Sequence, residues 1–251
     1  MMNSAPLIYE KSQSWHRAVL NRPDHKNSLT PELVSSLIDA VDACEQDLTA
    51  SVLIIEGSNG HFCNGMDMTS AASGKGVRGA GGDAFLQLLK KLTLSSVVTI
   101  SVVDGKACGG GVGLAAACDF VFATPDSQFS LPEILWGLLP CTIAPFLIRR
   151  MGYQACQSMT LSTLPISAEK AMSVGLVDAT DNIALTRLVQ RLQSIPPEAI
   201  GKAKRYLGNL WYLDDQVLDG TLDELDALLQ SPEVSARLQG FAENKRFPWE
   251  Q

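Results

Sequence analysis

Residues 97–123, VVTISVVDGKACGGGVGLAAACDFVFA, decide the fold class of this 251-residue chain. The apolar run 97–103 predicts a strand that is buried on both faces, and residues 118–123 predict a second one. Between them, three glycines at 109–111 lead into a short helix of small residues, 112–118. The order strand, loop, helix, strand is typical of an α/β protein with functional loops at the carboxyl ends of its strands.

The chain before this stretch shows the same pattern. Alternating apolar residues at 7–10 and 17–20 predict a hairpin, and residues 51–57 predict another buried strand. Between them, Thr30 as N-cap and Pro31 in the first turn predict the start of a helix. The predicted apolar face of that helix contains Leu33, Leu37, Ile38, Val41, Cys44 and Leu48.

A segment rich in Gly, Ser and Ala, residues 58–82, is too polar to belong to the core, and we interpret it as a mobile loop over a site. A helix at 83–93 follows it, and residues 128–131 predict a further short strand. After residue 140 the pattern is almost wholly helical. The predicted helices there are 143–151, 153–161, 167–174, 183–194, 197–210 and a final pair across 214–244. We therefore predict a core with the active site at 1–181 and a C-terminal helical region at 182–251, which covers the core or joins subunits.

Composition excludes several functional classes. The net charge is −7, the pI is about 5.0 and 46% of the residues are hydrophobic. Such an acidic, apolar-rich chain is expected to be globular, with no general affinity for nucleic acid or anionic membrane. No segment approaches the roughly 18 apolar residues of a membrane span, and the first ten residues do not resemble a signal peptide. We expect a cytoplasmic protein.

The six cysteines are scattered, without CxxC pairs or a histidine at metal-ligand spacing, so neither a metal site nor a disulfide framework is predicted. Cys63 and Cys108 flank glycine-rich segments. Because no histidine follows His61 to activate either thiol, we favour buried free thiols over a nucleophile.

Three glycines at the mouth of a helix let the backbone approach a ligand closely and expose N–H groups at the positive end of the helix dipole. The same glycines are also compatible with a phosphate cradle or a tight packing corner. A Walker-type loop is disfavoured because no Lys-Ser or Lys-Thr follows them, and a dinucleotide fingerprint lacks its acidic residue. Asp119, at the start of the next strand, is interpreted as a structural partner.

Several motifs in one order resemble the enoyl-CoA hydratase/isomerase (crotonase) superfamily. They are Asn21-Arg22-Pro23, Phe62-Cys63-Asn64-Gly65-Met66-Asp67, Gly105 with Gly109-Gly110-Gly111, Cys118-Asp119-Phe120, and Pro132-Glu133-Ile134. The resemblance implies a crotonase-like ββα spiral core and a C-terminal helical region through which relatives form trimers or hexamers.

The resemblance also implies roles for individual residues. The backbone N–H groups of Met66 and Gly110 would form an oxyanion hole for a thioester, and Glu133 would move a proton at its alpha or beta carbon. Burial would raise the pKa of Glu133. Asp67 is the other ionisable candidate, as a proton donor. Hydratases of this superfamily usually carry a second glutamate where this chain has Gly113, so ordinary fatty-acid hydration is disfavoured.

Residues 128–140, 145–152, 159–161 and 247–250 resemble the dehydratases of polyketide β-branching cassettes. This implies removal of water from a 3-hydroxy-3-methylglutaryl group on an acyl-carrier protein, which gives 3-methylglutaconyl. The decarboxylases of the same cassettes use Tyr, Lys and His, and this chain has no histidine beyond His61. A CoA-dependent enoyl hydratase or isomerase and a non-catalytic acyl-thioester binder remain alternatives.

No cofactor is implied beyond the phosphopantetheine or CoA that carries the substrate. Lys26 lies near the expected mouth and is predicted to bind a phosphate. Candidates for binding the distal carboxylate of the substrate are Lys106, Lys75 and Arg78. An acidic carrier protein would need a basic rim, for which the candidates are Arg149-Arg150, Lys202, Lys204-Arg205 and Lys245-Arg246.

Overall fold

Two β-sheets organise the part of the chain that the computed structural model describes, residues 5–67, 81–210, 215–244 and 247. The strands are β1 (Leu7–Lys11), β2 (Trp15–Leu20), β3 (Val52–Glu56), β4 (His61–Cys63), β5 (Val98–Val103), β6 (Lys106–Cys108), β7 (Phe120–Ala123), β8 (Gln128–Ser130) and β9 (Ile166–Ser167). The first sheet has the order β1-β2-β3-β5-β7, in which only β1 is antiparallel to its neighbour. The second has the order β4-β6-β8-β9, with β4, β6 and β8 parallel and β9 antiparallel.

The described helices complete a repeated unit. They are α1 (Pro31–Gln46), α2 (Gly82–Leu94), α3 (Gly110–Ala117), α4 (Ala144–Ser162), α5 (Ala168–Ser173), α6 (Asn182–Leu192), α7 (Pro197–Leu210), α8 (Asp215–Leu229) and α9 (Pro232–Asn244), with 3-10 helices at Pro23–His25 and Glu133–Trp136. Each unit places one strand in the first sheet, the next in the second sheet, and then a helix: β3-β4-α2, β5-β6-α3, and β7-β8 with a 3-10 helix. The α/β prediction is confirmed, and the unit is ββα.

Helix α1 shows where local signals succeed and where they end. The Thr30 side chain accepts a hydrogen bond from Leu33 N at 3.3 Å, as an N-cap does. The helix ends at Gln46, and the backbone of Asp47 is already extended. Leu48 is consequently 88% exposed, so its predicted place on the buried face was wrong.

The second sheet was only partly predicted. Strands β4 and β6 have three residues each, too few to show an alternating pattern, and β4 lies within the segment interpreted as a loop. Residues 68–80 of that loop lie outside the described residues. The predicted break between two helices near residue 152 is confirmed, because Gly152 adopts φ 78° and ψ 163° inside α4.

The helices after residue 181 cover the core from two sides. Leu192 of α6 and Ile200 of α7 are buried against one face of the first sheet. Leu222 and Leu225 of α8 and Leu238 of α9 belong to the main core on its other side. The C-terminal helical region therefore covers the core of its own chain, and its role in oligomerisation stays a prediction.

Three cations of the predicted basic rims make internal contacts. Arg149 donates to Ala116 O at 3.0 Å, and Arg150 donates to Cys118 O at 3.2 Å, so both satisfy carbonyl groups at the C-terminal end of α3. Lys204 of α7 donates to Asp119 Oδ2 at 2.6 Å, which confirms the structural role of Asp119. These three cations are thereby committed to internal contacts. Lys202 and Arg205 are exposed, and Lys245 and Arg246 lie outside the described residues.

Candidate active site

Three adjacent parallel strands present the candidate residues. Strands β4, β6 and β8 are neighbours in the sheet, with Cys63 opposite Ala107 and Cys108 opposite Ser130, and the register shifts between His61 and Cys63. Met66, Gly110 and Glu133 each follow the carboxyl end of one of these strands by two or three residues. Since parallel strands end at the same edge of a sheet, segments that are far apart in sequence meet there.

The first two loops are in direct contact. A Cβ at Gly65 would lie 2.7 Å from Cys108 O and 3.1 Å from Gly110 N, and a Cβ at Gly111 would lie 2.2 Å from Cys63 O. Only glycine permits this approach at residue 111. The glycine-rich sequence therefore brings the Met66 and Gly110 segments together.

The backbone N–H groups of Met66 and Gly110 have no internal partner within the described residues. The loop holds itself to Leu29 through the residues on either side of Met66: Leu29 N donates to Gly65 O at 2.7 Å, and Asp67 N donates to Leu29 O at 3.1 Å. In this parallel bridge the N–H of Met66 points away from Leu29. Gly110 is the first residue of α3, where an N–H group has no acceptor within the helix.

Glu133 lies beside these donors. Its Oε1 would be 3.0 Å from a Cβ at Gly109, whose φ of 53° also favours glycine. Its Oε2 is buried without a hydrogen-bond partner in the described structure. Burial raises the pKa of Glu133 from 4.5 to about 7. A carboxyl group with this pKa can both accept and return a proton near neutral pH.

Residues of all three segments line a cavity of about 460 Å³. Its lining is mostly apolar, and the lining residues with ionisable side chains are Lys26, Glu133, Cys108 and Cys141. Burial raises the pKa of Cys108 and raises that of Cys141 to about 11, so both thiols stay protonated at neutral pH. A volume and lining of this kind suit an acyl chain and its thioester.

Asp67 is placed differently from Glu133. Its Oδ2 lies 3.3 Å from Arg22 Nη2 and 3.3 Å from Ser28 Oγ, and the residue does not line the cavity. Arg22 also donates to the carbonyl of Ser28. Asp67 therefore anchors the Met66 loop to the segment before α1.

Lys26 lies at the mouth of the cavity, where its exposed side chain lines the opening and its carbonyl accepts from Asn64 N at 3.1 Å. Lys106 is exposed on β6 and is absent from the lining. Lys75 and Arg78, the other candidates for the distal carboxylate, lie outside the described residues. No group of three or more His, Cys, Asp or Glu residues within the described ranges is arranged to bind a metal.

Sequence reasoning missed part of the cavity wall. Leu225 and Leu229 of α8 and Phe247 line the cavity, and Phe247 and Phe241 make edge contacts with Trp136 at the end of the Glu133 segment. Helical spacing predicted the final pair of helices, but it did not predict that α8 lines the cavity. No described helix is long and apolar enough to cross a membrane.

Comparisons with known proteins identify the family of this chain. A family model described as enoyl-CoA hydratase/isomerase matches residues 10–251. The bacillaene synthase dehydratase PksH of Bacillus subtilis is 33% identical over 239 residues, 92% of this chain and 91% of that protein. The 2,3-dehydroadipyl-CoA hydratase of Escherichia coli is 33% identical over 208 residues, 80% of this chain and 81% of that protein.

The fold agrees as well. The crystal structure of PksH from Bacillus subtilis aligns with a TM-score of 0.88 at 29% identity, covering 96% of this chain and 98% of that chain. This match confirms the crotonase-like fold with C-terminal helices. The chain belongs to the enoyl-CoA hydratase/isomerase family and is a lyase of the hydratase and dehydratase type.

Proposed function

We propose that this enzyme removes water from a 3-hydroxy-3-methylglutaryl thioester on an acyl-carrier protein and produces the 3-methylglutaconyl thioester. One observation carries the proposal. Glu133, whose Oε2 is buried, lines the same cavity as Met66 and Gly110, whose backbone N–H groups have no partner among the described residues. At the position where the hydratases that this chain resembles usually carry a second glutamate, the chain has Gly113. The similarity to PksH, which is named a dehydratase of bacillaene synthesis, supports this choice of reaction.

In the first step, the Glu133 carboxylate removes a proton from the alpha carbon of the thioester. The electron pair of the broken C–H bond moves into the carbonyl and produces an enolate oxygen. The N–H groups of Met66 and Gly110 donate to this oxygen. A preorganised donor of this kind stabilises a transition state by about 3 kcal/mol.

In the second step, the enolate electrons form the double bond between the alpha and beta carbons, and the C3–O bond breaks. The leaving hydroxyl takes the proton from Glu133 and departs as water, which restores the carboxylate. The pKa of about 7 suits Glu133 to both transfers. Asp67 is held by Arg22 and Ser28, so the proton return is assigned to Glu133.

The carrier protein would present its substrate on a phosphopantetheine arm, whose thioester enters past Lys26. The exposed ammonium group of Lys26 suits a phosphate. The backbone carbonyl of Lys26 accepts from Asn64 N, and this bond holds the mouth of the cavity to the loop that contains Met66. A homotrimer or hexamer is proposed by analogy with relatives of the same fold.

A CoA-dependent enoyl hydratase or isomerase is the second candidate function, because the Escherichia coli 2,3-dehydroadipyl-CoA hydratase has the same 33% identity. Hydratases of this family usually carry a second glutamate, and the described cavity wall has no second carboxylate. The decarboxylase of a β-branching cassette is disfavoured because the chain has no histidine beyond His61.

Mass spectrometry of intact carrier protein tests the proposal. The enzyme is incubated with 3-hydroxy-3-methylglutaryl carrier protein and, separately, with crotonyl-CoA. Loss of one water from the carrier-bound group is expected, and Glu133→Gln should abolish it while Asp67→Asn retains it. Turnover of crotonyl-CoA without any loss of water from the carrier-bound substrate would support the CoA-dependent alternative.

A further inference from the structure

Ile143 occupies the space beside Gly113. A Cβ built on Gly113 would lie 2.1 Å from Ile143 Cγ2 and 2.6 Å from Ile143 Cβ, so any larger residue at 113 must displace this side chain. Ile143 is 3% exposed, and it lines the cavity. The wall at this point is therefore a branched hydrocarbon group.

The position of Ile143 relative to Glu133 follows from α3. The Glu133 carboxyl group lies over Gly109, the N-cap of α3, and Ile143 lies over Gly113. Four residues of helix correspond to a rise of about 6 Å, so the two side chains are neighbours along the helix axis. A group that extends from Glu133 along this axis towards Gly113 therefore meets Ile143.

We propose that Ile143 is a specificity-determining residue that contacts the methyl group on C3 of the substrate and thereby selects thioesters with a tertiary 3-hydroxyl. This inference rests on the proposed function. With the thioester oxygen at Met66 and Gly110 and the alpha hydrogen at Glu133, the 3-hydroxyl must turn towards Glu133 to receive its proton. The remaining small substituent on C3 then faces the hydrocarbon wall.

The fit is selective because of what happens to the wrong substrate. A substrate with hydrogen in place of the methyl group leaves Ile143 without a contact, and such a void forfeits dispersion and burial energy. One methyl-sized group in an apolar pocket changes kcat/KM by about 10- to 200-fold. The Gly113 and Ile143 pair would therefore both remove a second carboxylate and replace it with a site for a methyl branch.

The test compares two substrates on the same carrier protein, 3-hydroxy-3-methylglutaryl and 3-hydroxyglutaryl. The measured quantity is the ratio of their kcat/KM values for water loss. The different intrinsic reactivity of the two substrates cancels when this ratio is compared between enzyme variants. The wild-type ratio is expected to fall by about tenfold in Ile143→Ala, through slower reaction of the methylated substrate.

Leu147→Ala is the matched control. Leu147 is one turn further along α4, is fully buried and is absent from the cavity lining, so its truncation should leave the ratio unchanged. Ile143→Val, a smaller change that preserves folding, should lower the ratio in the same direction. An unchanged ratio in both Ile143 variants would overturn the inference. If the wild-type enzyme dehydrates neither substrate, it is the proposed function that fails.

Discussion

Replacing Glu133 with glutamine should abolish dehydration and at the same time stabilise the protein, to an extent that depends on pH. The pKa of Glu133 is about 7 in the folded protein and about 4.5 when the side chain is in water. Between these values the folded state keeps a proton that the unfolded state releases. Stability therefore falls as the pH rises through this window, and the full penalty is present above pH 7.

The size of the effect follows from the two pKa values. Their difference, converted at about 1.4 kcal/mol per unit, sets an upper limit of roughly 3 to 4 kcal/mol. Glu133 as a whole residue is partly exposed, and solvent screening lowers the penalty of ionisation, so we expect between about 1 and 3 kcal/mol. Glu133→Gln carries no charge and escapes this penalty.

Urea unfolding at pH 4.5 and at pH 8 measures the effect. We subtract the free energy of unfolding of the wild type from that of the variant. This difference should be larger at pH 8 than at pH 4.5 by about 1 to 3 kcal/mol. Glu243→Gln, at an exposed position of α9, is the control and should change this difference by less than about 0.5 kcal/mol. An equal effect of Glu133→Gln at both pH values would refute a buried, proton-holding Glu133 and the mechanism with it.

Three further predictions concern activity. The kcat/KM of the wild type should fall on the acid side with an inflection near pH 7, because only the ionised Glu133 accepts the alpha proton; a flat profile from pH 5 to 8 would contradict this. Gly111→Ala should lower kcat by about 100-fold or more, since its Cβ would meet Cys63 O at 2.2 Å and displace the Met66 and Gly110 loops. Gly240→Ala is the control and should keep wild-type activity, because a Cβ there has nothing within 4 Å. Asp67→Asn should lower the free energy of unfolding by about 1–3 kcal/mol in denaturant titrations. The variant should nevertheless retain at least about a tenth of the wild-type kcat. A loss of activity equal to that of Glu133→Gln would instead make Asp67 catalytic.

Much of the fold could be predicted because the main sheet consists of strands long enough to show apolar runs. Residues 51–57 and 97–103 predicted β3 and β5 to within a residue or two of the observed ends. The second sheet was harder, since three residues such as His61–Cys63 carry no period and form a strand only because their neighbours pair with them. Its short parallel strands are what bring the site together.

The site was predictable to the extent that it depends on motifs. Glycines in two loops and one glutamate after a short strand are visible in the sequence, and the structure places them at one sheet edge. The sequence does not show which group a charged side chain will contact. Arg150 and Lys204 read as surface cations because their acceptors, Cys118 O and Asp119, are brought near only by folding.

The participation of α8 in the cavity wall separates two tasks within one chain. The groups assigned to proton transfer lie at the edge of the second sheet, whereas Leu225 and Leu229, on a separate helix, line the same cavity. Mutations on that helix can therefore alter which acyl groups are admitted while the acid–base apparatus stays intact. Substitutions on α8 are therefore a route by which this fold could acquire new substrates.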